Sequence, residues 1–205
     1  MKCIIQTIPD RLELAKKQRE ALGLPCDIHN DIRKTNAFNG FVDSLNAFDY
    51  GDEYRFHMQD DLILCDDLKD YLPEVERIMR VSDMNLMSLY APRYRVNLEA
   101  NQKGKRWIKS ISAFAMQAVV LSPKLVKLLI EDAHYYKGWK FDDWFVTDLC
   151  RHYKIGTYVH IPSLTQHDVF NIPSSLGHPN HERRTSHTFE PDFVKRWKYG
   201  DVKNP

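Results

Sequence analysis

Two hydrophobic periods alternate along this chain, and that alternation constrains its fold more than any other feature. Short stretches with a two-residue repeat are followed by longer ones with the 3.6-residue repeat of a helix. "KCIIQTI" (Lys2 to Ile8) reads as a strand stopped by Pro9. "RLELAKKQREALG" sets Leu12, Ala15 and Leu22 on one helical face and stops at Gly23. "PCDIHND" holds a short strand, and "GFVDSLNAFDYG" a helix with Phe41, Leu45 and Phe48 aligned. In "EYRFHMQ", Tyr54, Phe56 and Met58 alternate with Arg55, His57 and Gln59, the period of a strand. "DLKDYLPEVERIMRV" reads as a helix with Pro73 in its first turn or kinking it. "MNLMSLYA" is a strand, and "SISAFAMQAVVLS" is apolar and β-prone. "SPKLVKLLIEDAHYY" is a helix capped by Ser122 with Pro123 at its first position. "DDWFVTDLCRHYK" is a helix that opens on two aspartates and ends at Gly156, and "IGTYVHIPSLTQH" is a last strand and proline turn. The expected fold class is α/β: one domain with a mixed, mostly parallel sheet and helices on both faces. Ligands of such sheets bind beyond the carboxyl ends of the strands.

The 205 residues fit one domain with a short appendage, and 43% hydrophobic residues supply a core. No run approaches the roughly 18 apolar residues of a membrane helix. The first apolar stretch is too short for a signal peptide, so the expected location is cytoplasmic. Cys3, Cys26, Cys65 and Cys150 form no C-x-x-C pair. Reduced thiols are expected, and a cysteine zinc site is not. The net charge of +1 hides an uneven distribution. Residues 41 to 70 carry nine acids and two bases, whereas 93 to 109 carry six bases and one acid. Such a chain can present a cation-binding acidic pocket beside a basic rim, or simply a patchy solvated surface.

The acidic excess centres on "EYRFHMQDDLILCDDLKDYL", where Asp60 and Asp61 directly follow the alternating strand. Neighbouring side chains on a strand point to opposite faces, so both serve one site only if the chain bends there. Carboxylates at a strand's end suit a hard divalent ion such as Mg²⁺ or Mn²⁺, which completes its shell with water and substrate phosphate. The plain alternative is a polar strand-to-helix connection with Asp66 or Asp67 capping the next helix. The chain holds no G-x-x-x-x-G-K-[ST] and no G-x-G-x-x-G, so any nucleotide would be held without a glycine-rich phosphate loop.

Four segments in order resemble the GT-A fold glycosyltransferases. "FHMQDDLIL" is similar to their metal-binding D-x-D signature, with Gln59 in place of the first acid. "SISAFAMQAVVLSPKLVKLLI" resembles the strand and helix beside the sugar-donor pocket. "GWKFDDWFVTDL" resembles the later acidic motif that meets the acceptor, and "IPSLTQHDVFNIPSSLGH" is similar to the "P-S-L-x-Q-H" and "S-S-L" stretch of some N-acetylglucosaminyltransferases. The resemblance covers residues 1 to 178, which it implies form a Rossmann-like GT-A domain. Residues 179 to 205 are then a carboxyl-terminal flap packed on or over the donor site. It implies Mn²⁺ or Mg²⁺ held by Asp61 and His167, and a nucleotide-sugar donor, a UDP-sugar first among them. Thr7, Arg11, Gln59 and Asp60 would adjoin that donor, and Arg183 and Arg184 would pair with its phosphates. Asp142 and Asp143 are the candidates for a base that deprotonates the acceptor hydroxyl, one facing the site and one capping the helix, with Asp143 favoured for the site. The helix dipole is expected to keep them ionised and weakly basic.

The acceptor is less constrained. A basic loop with Arg93, Arg95, Lys103, Lys105, Arg106 and Trp107, within Arg93 to Lys109, could meet DNA phosphates and stack on a base. That fits the compact bacteriophage transferases that decorate hydroxymethylated DNA, which the "HERRTSHTF" tail also resembles. A flipped base would then present the hydroxyl. The other branch is a saccharide of lipopolysaccharide or capsule. Two further classes remain open: a metal-dependent phosphoesterase or nuclease using Asp60, Asp61, Asp143 and His167, and a non-catalytic binding module, which Gln59 would suit. His178, His181 and His187 fit no standard zinc spacing, and His160 reads as structural.

Overall fold

The computed structural model describes residues 1–49, 51–91, 106–110, 112–113, 116–168, 171–172 and 185–199. Its strands are β1 (Lys2–Thr7), β2 (Cys26–Asn30), β3 (Arg55–Gln59), β4 (Leu62–Leu64), β5 (Leu86–Ser88), β6 (Trp107–Ser110), β7 (Ala118–Leu121), β8 (Thr157–His160) and β9 (Thr165–His167). Its helices are α1 (Leu12–Leu22), α2 (Ala37–Asn46), α3 (Leu68–Val81), α4 (Pro123–Asp132), α5 (Asp142–His152) and α6 (Phe193–Lys198). Seven strands form one sheet in the order β2-β1-β3-β7-β5-β8-β6, and β4 pairs with β9 apart from it. β1 runs parallel to β2 and β3, and β5 to β8, while β7 and β6 run against their neighbours. Five of the seven strands therefore point one way, the mixed, mostly parallel α/β sheet expected.

Both faces of the sheet are covered. Alternate strand residues (Cys3, Ile5, Phe56, Met58, Met87, Ala118, Val120) pack with α1, α3 and α6, and the opposite set (Leu86, Val119, Leu121) packs with α2, α4 and α5. Burial on both sides explains why the polar members of β3 are interior. Arg55 Nη1 donates to the Leu45 carbonyl at 2.6 Å, and His57 Nε2 lies 2.9 Å from Ser44 Oγ. Complete burial pushes the His57 pKa down to about 3.

Local signals set several boundaries. Gly23 ends α1 in the left-handed region at φ 64, and Ser122 Oγ accepts the Leu125 N–H above Pro123. α2 starts earlier than its apolar stripe suggests, at Ala37, because Asn36 Oδ1 caps it through the Asn39 N–H. α3 runs unbroken through Pro73, its sixth residue. Burial of Leu68, Tyr71, Leu72, Val75, Ile78 and Met79 outweighs the hydrogen bond proline removes. Asp67 stands at the start of α3 without capping it through its side chain, which instead pairs with Lys198 at 3.3 Å. Gly156 does not end α5. Lys154 takes the left-handed position at φ 55, and the Ile155 N–H returns to the Cys150 carbonyl at 2.7 Å.

Two parts of the chain depart from the sequence reading. The end of the expected basic loop is strand: Trp107 to Ser110 pair antiparallel with β8. Arg106 is only 4% exposed, its guanidinium 5.9 Å from the centre of the Phe193 ring, and Trp107 packs half-buried against the core. Both hold the fold together rather than forming a rim. Arg93, Arg95, Lys103 and Lys105 lie outside the described residues. The carboxyl-terminal segment, which shows no helical period in the sequence, supplies core side chains. Phe193 and Val194 are fully buried, with Phe193 edge-on to Tyr71 at 5.2 Å and to His160 at 5.5 Å. His160 is interior too, with Nδ1 2.7 Å from the Pro162 carbonyl and Nε2 3.2 Å from the Tyr71 hydroxyl. All four cysteines are free, buried thiols. Among the described residues no helix is long and apolar enough to cross a membrane.

Candidate functional site

β1 and β3 are parallel neighbours, so Gln6 lies beside Gln59 and both strands finish at one edge of the sheet. Beyond that edge the chain supplies the turn Pro9–Arg11 and the pair Asp60 and Asp61. The Thr7 hydroxyl donates to Asp60 Oδ2. Arg11 Nη1 lies 3.2 Å from Asp60 Oδ1 and 3.4 Å from Asp61 Oδ2. After Asp61 the chain bends into β4, which pairs with β9 so that Leu62 lies opposite His167. The Asp168 N–H donates to the Asp61 carbonyl at 2.8 Å, locking the register. His167 Nε2 consequently sits 2.8 Å from Asp61 Oδ2, across 106 positions of sequence. An ionised carboxylate can only accept, so Nε2 carries the proton in this contact. Nδ1 is buried and has no hydrogen-bond partner among the described residues.

Asp60, Asp61 and His167 are 4%, 6% and 2% exposed, so this polar cluster lies at the floor of the edge. Burial pushes the Asp60 carboxyl above the ordinary range and the Asp61 charge adds to this, while the Thr7 hydroxyl and Arg11 guanidinium oppose it. Gln59 ends β3 half-buried, its N–H bonded to the Gln117 carbonyl at 2.8 Å. Thr7, Arg11, Asp60, Asp61 and His167 are thus brought together, and Gln59 precedes them at the end of β3. Arg183 and Arg184 lie outside the described residues.

Asp142 and Asp143 form the first turn of α5, and Phe141 stands at the cap position ahead of them. Asp142 Oδ1 accepts the Asp143 N–H at 2.8 Å, and Asp143 Oδ1 the Trp144 N–H at 2.9 Å. α2 stands between this turn and the sheet edge: the Phe38 N–H bonds the Lys140 carbonyl, and a Cβ on Gly40 would stand 2.6 Å from Gln6 Nε2. The expectation of an ionised, weakly basic carboxylate is corrected at Asp142. Burial, reinforced by Asp143, overrides the helix dipole and pushes its pKa up to about 7. Its Oδ2 is buried and has no hydrogen-bond partner among the described residues.

This shift makes a testable pH dependence. Folded Asp142 keeps its proton up to about pH 7, whereas the unfolded chain releases it near ~3.9. Native protein binds the extra proton between those values, so stability is greatest at the acid end and falls as pH rises through about 7. Asp142→Asn is expected to flatten this slope and to be the more stable protein at pH 8, by up to about 4 kcal/mol. Urea unfolding of both proteins at pH 5 and pH 8 reads the difference. Identical slopes would show that Asp142 is ionised in the native state.

Several supporting residues carry no sequence signal. Gln18 Nε2 donates to the Leu62 carbonyl at 2.6 Å and fixes β4 from α1. Ser163 Oγ lies 2.7 Å from the Thr165 carbonyl and receives the Ala91 N–H, setting the turn into β9. Tyr90 stands edge-on to His167, ring centres 6.5 Å apart. Each acts across distant segments, and only the buried polar type of Gln18 and Ser163 hints at it.

Asp61 and His167 fit a small divalent cation. Their facing atoms are 2.8 Å apart, close to the ~3 Å between adjacent ligands of an octahedral ion bound at about 2.1 Å, and Nε2 would become a ligand by giving up the proton it now shares with Asp61. Among the described residues no group of three or more His, Cys, Asp or Glu side chains is placed to cage an ion. An ion here would draw the rest of its shell from water and ligand oxygens. No protein-family model matches the chain, and no curated protein matches it.

Proposed function

We propose that this protein is a metal-dependent glycosyltransferase that moves a sugar from a nucleotide-sugar donor to a hydroxyl acceptor. The observation that carries this reading is the meeting of Asp61 and His167 at 2.8 Å beyond the carboxyl end of β3. An Mn²⁺ or Mg²⁺ bound there would neutralise charge on the departing diphosphate. Asp61 and His167 would hold that ion, Asp60 is oriented by Thr7, and Arg11 supplies a positive charge that does not titrate away, within reach of the phosphates. Gln59 offers an amide to the donor ribose. Asp142, with a pKa near 7, takes the acceptor hydroxyl proton in place of Asp143, which the sequence favours, because a carboxylate of raised pKa is the better base.

A UDP-sugar is the first donor to test. Its complex with Mn²⁺ at a hundred times its Kd is expected to stabilise the protein by about 2.7 kcal/mol, a Tm rise of about 5–10 °C. Thermal-shift measurement with UDP-, GDP- and CMP-sugars, with and without Mn²⁺, checks this, and no shift with any of them would remove the donor. For the acceptor, saccharide and hydroxymethylated phage DNA remain the two branches. The structural roles of Arg106 and Trp107 remove two of the side chains that suited DNA. DNA as acceptor requires binding that weakens steeply between low and moderate salt.

A further inference from the structure

We infer that Arg11 is a displaceable internal cation: it neutralises the Asp60–Asp61 pair until a donor diphosphate draws it away, so that metal and diphosphate enter together. This rests on the transferase reading and adds to it an order of events at the site. Arg11 bridges both carboxylates through one nitrogen, at 3.2 and 3.4 Å, with its side chain 14% exposed. A guanidinium stays charged at every working pH, so this charge cannot leave by losing a proton. A divalent ion entering alone would meet a like charge already seated on its oxygen ligands. A diphosphate changes that balance, because it offers the guanidinium paired acceptor oxygens of its own. Arg11 can then exchange carboxylate for phosphate while the ion takes the vacated oxygens. Metal and diphosphate each become tighter binders in the presence of the other, by the same factor.

Titration of Mn²⁺ into the full chain, followed by the EPR signal of the free ion with and without UDP, tests this. Wild type should bind Mn²⁺ weakly alone and about tenfold or more tightly with UDP. Arg11→Gln should bind Mn²⁺ alone about tenfold more tightly than wild type, bind UDP alone more weakly, and show a smaller enhancement by UDP. Arg11→Lys, which keeps the charge, should stay close to wild type for Mn²⁺ alone. If Arg11→Gln does not fold, ¹⁵N NMR of the wild-type arginine side chains serves instead, with the Arg11 signal identified by its loss in Arg11→Lys. It should move when UDP and Mg²⁺ are added together. An Arg11→Gln affinity for Mn²⁺ equal to or below that of wild type overturns the inference, as does an unmoved Arg11 signal. Nucleotide binding that needs Arg11 but no metal would make Arg11 the permanent counter-charge, ending both displacement and the metal assignment while sparing the transferase. Binding of none of UDP, GDP and CMP to any of these proteins would remove the donor reading and this inference with it.

Discussion

Asp61→Asn is expected to lower sugar transfer by about a thousandfold or more while the protein stays folded. The substitution preserves shape and leaves an oxygen to accept the His167 Nε2–H, so the β4–β9 register is not disturbed. It removes the charge that would bind the cation. Asp61 also pairs with Arg11, and losing that pair is destabilising in isolation. Asp60 offsets the loss, because two adjacent buried carboxylates repel one another and the removal relieves that repulsion. The transition should therefore move by only a few degrees, and the loss should appear in metal-dependent turnover. Assay of transfer from a radiolabelled UDP-sugar, with circular dichroism of the same preparation, separates the two effects. A folded Asp61→Asn protein with wild-type activity would remove Asp61 from the chemistry.

Phe193→Ala is expected to cost about 3–5 kcal/mol and to lower Tm by about 10 °C. Phe193 is 1% exposed and fills the space between Tyr71 of α3, His160 of β8 and the Arg106 guanidinium. Truncation leaves a cavity that three separate elements cannot close together. The same segment reaches toward the site: Ser186 N–H bonds Gln166 Oε1 at 2.8 Å, and the Ser163 N–H bonds the Thr188 carbonyl at 3.1 Å. Chemical unfolding measures the loss directly. A change within about 0.5 kcal/mol, the range of ordinary surface substitutions, would show that α6 is not part of the core.

The order of elements was legible because each strand and helix carries its own period, and because Ser122, Pro123 and Gly23 mark ends by local chemistry. The carboxylate pair was legible for the same local reason, since Asp60 and Asp61 follow an alternating run. What escaped depends on partners far away in the chain. α6 is six residues long, too short for a helical repeat to declare itself, and is held by Tyr71 and His160. Arg106 reads as a solvated base until Phe193 is seen beneath it. The Asp142 proton is set by burial that no sequence pattern reports, and the local dipole argument points the wrong way. Arg11 is marked by the resemblance only as a neighbour of the donor, and its bridge to both aspartates comes from the closeness of β1 and β3. His167 is marked in the sequence only by its resemblance to a ligand position, and the geometry that pins it is the β4–β9 pairing.

The central claim is that Asp61 and His167 serve one cation together, and pulsed EPR of Mn²⁺ bound with UDP tests it most directly. The wild-type complex should show electron-spin modulation from a directly bound histidine nitrogen. Uniform ¹⁵N-histidine labelling should change that pattern, and His167→Gln should abolish it. A bound Mn²⁺ with no histidine modulation, or modulation that survives His167→Gln, would contradict the account.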